Sequence, residues 1–217
     1  DNSTAGDSFT SAIGADTQAG TAGAPFLTIQ KASDSAAIGD TIYVDAGLYA
    51  ETVVVGPGKN NLKIIGVDSR VAYIDPPGPR TTAGLIAIKI RSSEVTVKNI
   101  GIVDAYDGIQ INGADSCTVT SDSFTGLGNV AAGGVTSGWN TFTNNILFNG
   151  NSGYGISVDS YQNTISGNTI DSWSYGMLVS GESNTIRNNK VTNSINIGIY
   201  LNVAGAYSNL IETNTTT

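Results

Sequence analysis

Five segments in the second half of the chain superimpose on one another, and this repetition restricts the fold more than any single residue does. They begin at Val95, Cys117, Asn140, Asn163 and Asn184, with a partial sixth from Asn209. The best matched read NTFTNNIL, NTISGNTI and NTIRNNKV, each followed further along by Gly, an apolar residue, any residue and a second apolar one. The starting points are 21 to 25 residues apart. Inside each unit the apolar residues alternate as in strands. A short period with strand-like alternation is the pattern of a β-solenoid with one coil per repeat.

Numbering each coil from its first residue defines columns. Position three is Val97, Val119, Phe142, Ile165, Ile186 and Ile211, and position eight is Ile102, Phe124, Leu147, Ile170, Val191 and Thr216. A further strand contributes Ile109/Ile111, Ile156/Val158, Met177/Val179 and Ile199/Leu201, each pair behind a Gly. Stacked coils rise about 4.8 Å each, so like residues pile on like. Each buried aliphatic contributes roughly 1.5–3 kcal/mol, which makes these columns the expected core. Position six is Ile100, Asp122, Asn145, Asn168, Asn189 and Asn214. Asn145, Asn168, Asn189 and Asn214 are expected to form a structural amide ladder at a bend. Their tolerance of the left-handed conformation suits that corner.

The first part of the chain is organised differently. Residues 1–25 are rich in Gly, Ala, Ser and Thr without a sustained period, and read as an extended arm ahead of a β-helix over 26–217. Ile29, Ala32 and Ala36 fall at i, i+3 and i+7, which predicts a short capping helix over about 28–37. Coils are expected from about residue 41, with the best-matched ones over 95–217.

The strings GTAGAPFLTIQKA, GDTIYVDAGLYAETVVV and NNLKIIG resemble the N-terminal cap and first coils of the pectate-lyase-like right-handed parallel β-helix superfamily. The later NTI units are similar to its generic repeats, so the resemblance covers roughly residues 20–217. It implies an all-β, single-stranded right-handed parallel β-helix with a short N-terminal capping helix. It leaves function open, because the superfamily holds lyases, hydrolases, epimerases and non-enzymatic surface proteins.

Composition removes several classes of function. Ten basic against eighteen acidic residues give a net charge of −8, which excludes nucleic acid and anionic membranes as partners because both need a basic patch. No apolar run approaches the roughly 20 residues of a membrane span, so no membrane insertion is expected. The opening DNSTAGDSFT is polar and acidic, as expected of a mature secreted protein, and the expected location is extracellular or cell-surface. A lone cysteine, Cys117, permits no intrachain disulfide and reads as a small turn residue.

Catalytic and metal chemistry is sparse. There is no histidine, which removes the usual general base and a common metal ligand together. The resemblance carries a copper role for some relatives, but one Cys and one Met are a poor soft-donor set. No metal site is expected. Ca²⁺ is the one conceivable cofactor, through pairs among Asp40, Asp45, Glu51, Asp68 and Asp75. Glycoside hydrolysis needs carboxylates roughly 5–9.5 Å apart. No acid in the repeats stacks on another, and Asp104, Asp107 and Asp115, which share one coil, are the remaining catalytic candidates. The paired-Asp and Gly-His-Gly pattern of polygalacturonases is absent, as is the Asp-Pro-His of alginate epimerases.

The outward positions carry more. Tyr154, Tyr175, Leu178, Ile197 and Tyr200 should form an apolar-aromatic strip suited to stacking sugars or to a protein interface. An unpaired last coil and an arm free to add a strand would allow subunits to join end to end. Asn2, in Asn2-Ser3-Thr4, is a candidate glycosylation acceptor. The leading expectation is a structural or assembly protein that self-associates through solenoid ends and arm. Alternatives are a pectate-lyase-like lyase or hydrolase, and a non-catalytic polysaccharide-binding module.

Overall fold

The structure is a computed structural model that describes residues 7–135, 137–150, 152–202 and 207–217. Among them the chain winds through three parallel sheets. Sheet 1 has eight strands, from Thr41–Val44 to Leu210–Glu212. Sheet 2 also has eight, from Gly47–Tyr49 to Thr215–Thr216, and sheet 3 has seven, from Val53–Val55 to Ile197–Leu201. Each strand pairs with its counterpart one coil away, which is the all-β parallel solenoid that the repeat predicts.

Registers follow the sequence columns. In sheet 1, Val97, Val119, Phe142, Ile165, Ile186 and Ile211 are successive partners. In sheet 2, Ile102, Phe124, Leu147, Ile170, Val191 and Thr216 stack in the same way. Ile109/Ile111, Ile156/Val158 and Met177/Val179 point into the core from sheet 3 and are fully buried. The register cannot slip, because a one-residue shift would turn each of these columns to solvent.

Asparagine amides hold the bends. Backbone N–H groups of Asn145, Asn168 and Asn189 each donate to the side-chain oxygen of the next ladder asparagine at 3.0 Å. The Nδ2 groups of Asn145, Asn168, Asn189 and Asn214 reach down to the carbonyls of Val119, Phe142, Ile165 and Ile186. A second ladder runs through Asn140, Asn163, Asn184 and Asn209, whose oxygens accept from the backbone N–H of Cys117, Asn140, Asn163 and Asn184. Cys117 thus takes a buried ladder position. The left-handed conformation falls on the residue before each ladder asparagine, not on the asparagine itself: Asn144, Gly167, Asn188 and Thr213 have φ of 56°, 67°, 55° and 54°. The amide must point inward along the coil axis, so its neighbour makes the turn.

The described part of the arm is not free. The buried Asp45 carboxylate accepts the backbone N–H groups of Ser8, Phe9 and Thr10, and the Phe9 ring lies 4.8 Å from that of Tyr43. Asp16 accepts from the N–H groups of Leu27 and Thr28. Helix α1, Ile29–Ser35, is shorter than predicted and starts from Thr28, whose hydroxyl accepts from Lys31 N–H. Its remaining first-turn N–H groups, at Ile29 and Gln30, donate to the Glu51 carboxylate in the first coil. These contacts satisfy the otherwise orphaned donors of a helix start and pin the cap to the solenoid. Residues 7–25 therefore cover the first coil, and the SFTSAIGA segment is committed there instead of being available to a second chain. Asn2 lies outside the described residues.

Candidate functional site

Two of the three catalytic candidates, Asp107 and Asp115, are kept apart. Asp107 opens the strand Asp107–Asn112 and Asp115 lies beyond its other end. At about 3.3 Å per residue that strand alone separates them by roughly 16 Å, too far for a shared sugar bond. Asp107 is half-buried and accepts from Asn129 Nδ2 at 2.9 Å and Val130 N–H at 3.1 Å. Burial raises its pKa, against the opposing pull of those two donors. Asp115 Oδ1 accepts the N–H of Gly138 at 2.8 Å. Both carboxylates act as bend fasteners. Among the described residues no three His, Cys, Asp or Glu side chains gather as a metal site, so Ca²⁺ is not proposed.

Asp104 has different partners. It lies at the corner between sheets 2 and 3, with its Oδ1 3.7 Å from Arg80 Nη1, and joins Asp75 and Arg80 in lining a cleft of about 580 Å³. Burial, and secondarily the charge of Asp104, raise the Asp75 pKa. Arg80 also donates to the Gly126 carbonyl at 3.0 Å. Gly126 has φ of 72°, and a Cβ there would sit 2.9 Å from Asp104 Oδ1, so glycine leaves room for the pair. Arg80 leaves no mark in the repeat because its loop belongs to no column. Its only sequence signal is the interruption Pro76-Pro77-Gly78-Pro79. A second cavity, of about 430 Å³, lies between the arm, α1 and the first coil.

Sheet 3 brings the aromatic strip together. Tyr154, Tyr175 and Ile197 are successive partners, as are Ser157, Leu178 and Tyr200. The rings of Tyr154 and Tyr175 lie 5.1 Å apart and tilted by 31°. Those of Tyr175 and Tyr200 are 6.0 Å apart at 34°. Ile197 and Tyr200 are exposed, and Tyr154, Tyr175 and Leu178 are half-buried.

Comparison with known proteins adds a family and a fold. A family model described as periplasmic copper-binding protein (NosD) matches residues 35–217. No curated protein matches the chain. Among solved structures, alginate lyase from Paenibacillus sp. str. FPU-7 is 16% identical with a TM-score of 0.61, over 87% of this chain and 72% of the lyase. A pectin methylesterase in complex with a hexasaccharide is 14% identical with a TM-score of 0.56, over 82% of this chain and 77% of its own. The pectin methylesterase from Aspergillus niger is 14% identical with a TM-score of 0.52, over 97% and 93%. At these identities they share the fold alone.

The copper in the family description can be tested against the donors present. The chain has no histidine. Its single methionine, Met177, and its single cysteine, Cys117, are both fully buried in the core. Burial pushes the Cys117 thiol up to about 11, and its Sγ lies 3.4 Å from the Ser92 carbonyl oxygen. Copper favours imidazole, thiolate and thioether ligands that converge, and these residues do not fit it. Cys117 is accordingly expected to resist Ellman's reagent in the native protein and to react fully after denaturation, since the thiolate is the nucleophile. Rapid native labelling would refute its burial. With residues 35–217 accounted for by one family model and coil after coil in the matching register, the chain belongs to the NosD family of right-handed parallel β-helices.

Proposed function

We propose that the chain is an exported polysaccharide-binding solenoid whose glycan contact is the tyrosine strip of sheet 3. The observation that carries this reading is the ring series Tyr154, Tyr175 and Tyr200, at 5.1 and 6.0 Å between neighbours. A polymer laid along the solenoid axis meets one ring per coil, at a rise of about 4.8 Å. That step is close to the length of one pyranose unit. Tyr200 is exposed and Tyr154 and Tyr175 are half-buried, and sugars present apolar C–H faces to aromatic rings and hydroxyls to phenol tips. The fold shared with an alginate lyase and pectin methylesterases supports a glycan partner by analogy. Export is supported by the periplasmic description of the family.

Assembly through a free arm loses its support, because residues 8–10 are held by Asp45. No catalytic role is assigned to Asp104, Asp107 or Asp115. Tyr175→Ala is expected to weaken retention in polysaccharide-affinity gels about three- to tenfold. Tyr43→Ala, at the opposite end of the solenoid, should leave it unchanged. Equal retention of wild type and Tyr175→Ala would end the reading.

A further inference from the structure

The corner between sheets 3 and 1 has its own repeat. Glu94, Ser116, Trp139, Gln162 and Ser183 occupy one left-handed column, with φ of 64°, 59°, 55°, 55° and 58°. Each of the middle three donates its N–H to a carbonyl of the next coil: Ser116 to Gly138, Trp139 to Tyr161 and Gln162 to Glu182. The other members of the column are short or flexible polar residues. Trp139 is the exception. A left-handed backbone costs a residue with a side chain roughly 1–2 kcal/mol, and Trp139 gives little back to the core because it is 50% exposed. Strain combined with exposure at one large aromatic points from structure toward function.

Its neighbour holds the indole in place. The Tyr161 ring, 40% exposed, meets Trp139 edge-on, at 5.0 Å and 86°. An edge-on contact covers at most one face of the indole, and half of the Trp139 surface meets solvent. Gly138 makes the approach possible, since a Cβ there would lie 2.7 Å from Tyr161 Cε2. The flanking column positions offer the Ser116 hydroxyl on one side and the Gln162 amide on the other, each about one coil rise of 4.8 Å away. In the columns of Trp139 and Tyr161 the charged side chains are Glu94, Asp115 and Glu182, all acidic; the same corner adds Asp159 two residues before Tyr161, while its bases, Arg91 and Lys59, lie two and three coils away from Trp139.

We infer that the Trp139–Tyr161 corner is a stacking subsite for an uncharged pyranose, so that the glycan bound is neutral and not a polyuronate. An aromatic face accepts the apolar side of a sugar ring. Asp115, bound to Gly138 N–H, and the acids one coil further out, Glu94 and Glu182, repel a uronate, and that repulsion is strongest at low salt. The inference deepens the polysaccharide reading proposed above, but it uses a different corner of the molecule from the tyrosine strip.

The two tryptophans of the chain provide the test. Trp139 is half exposed and Trp173 fully buried, so acrylamide should quench the first and spare the second. Cellohexaose, laminarihexaose and chitohexaose are added in turn to the whole chain at low salt, and hexagalacturonate is added in parallel. At least one neutral hexasaccharide should protect Trp139 from quenching with a saturable response, and hexagalacturonate should not. Trp139→Ala should weaken binding of that neutral hexasaccharide by at least about tenfold. Its residual Trp173 emission should remain unquenched, which shows the fold to be intact. Protection that persists in Tyr175→Ala would support the corner whether or not the strip binds. The inference is overturned if no neutral hexasaccharide protects Trp139, even where the strip retains polymer. Equal protection by hexagalacturonate would overturn it as well.

Discussion

Asn168→Ala is expected to destabilise the protein by about 4 kcal/mol, because it removes four side-chain hydrogen bonds from a buried bend at about 1 kcal/mol each. Asn168 Oδ1 accepts from both the N–H and the Nδ2 of Asn145, at 3.0 Å each. Its Nδ2 donates to the Phe142 carbonyl and to Asn189 Oδ1, at 2.9 Å each. Alanine keeps the backbone and removes all four bonds. Asn145 Nδ2 retains the Val119 carbonyl, but the Asn145 N–H and the Phe142 carbonyl lose their side-chain partner. The unpaired N–H costs about 1–3 kcal/mol in a dry bend, and the carbonyl, which lies in a paired strand, costs about 1 kcal/mol. Thr164→Ala, on the outward column of the same coil, is the control and should change stability by no more than about 0.5 kcal/mol. Urea denaturation of both variants measures the contrast. A shift for Asn168→Ala no larger than the control's would show that the ladder follows the fold without stabilising it.

The opposite sign is expected at Asp122. This residue occupies the Asn145 column one coil earlier and is buried. Its Oδ1 accepts the Ile100 N–H at 2.7 Å, its own N–H donates to Asn145 Oδ1, and its Oδ2 is buried without a partner. Burial raises its pKa well above the usual carboxylate range, outweighing the N–H donors of Ile100 and Thr120 that favour the charged form. The unfolded chain releases this proton near pH 3.9, while the folded protein holds it to higher pH. The contribution of Asp122 to stability is therefore fully present below that unfolded value and is lost as pH rises through the folded one. Asparagine carries no charge and restores a ladder donor. Its Nδ2 would reach the Val97 carbonyl, as Asn145 reaches that of Val119. Asp122→Asn should thus be more stable than wild type by about 2 kcal/mol near neutrality, and the gap should close toward pH 3. Acids held below their usual pKa, such as Asp68 beside Arg70, push stability the other way with pH. They are common to both proteins and cancel in the comparison. Parallel stability curves for the two from pH 3 to 8 would refute this assignment.

Legibility in the sequence tracked periodicity. The apolar columns and the ladder through Asn145, Asn168, Asn189 and Asn214 were readable because each coil repeats the same residue at the same offset. The second ladder, through Asn140, Asn163, Asn184 and Asn209, was visible as the recurring first residue of each unit, yet nothing in the letters says that its amide points inward. The strip was legible through alternation on sheet 3. By the same logic Asp107 and Asp115 appeared as neighbours, although the strand between them carries them to different corners. The arm was misread as free because its low-complexity composition hides the role of Asp45, which lies 35 to 37 residues downstream of the N–H groups it binds.

By itself, then, the sequence determined the solenoid, its coil length, its core columns and the outward placement of the tyrosines. All of these follow from a local alternation that repeats at a fixed offset, and stacking then makes chain neighbours one coil apart into spatial neighbours. Only the tertiary structure decided that residues 7–25 cover the first coil, that the loop carrying Arg80 reaches Asp104 and Gly126, and that Trp139 stands strained and half exposed against Tyr161. Those contacts join segments at irregular separations or depend on backbone conformation at a corner, and a repeating pattern encodes neither.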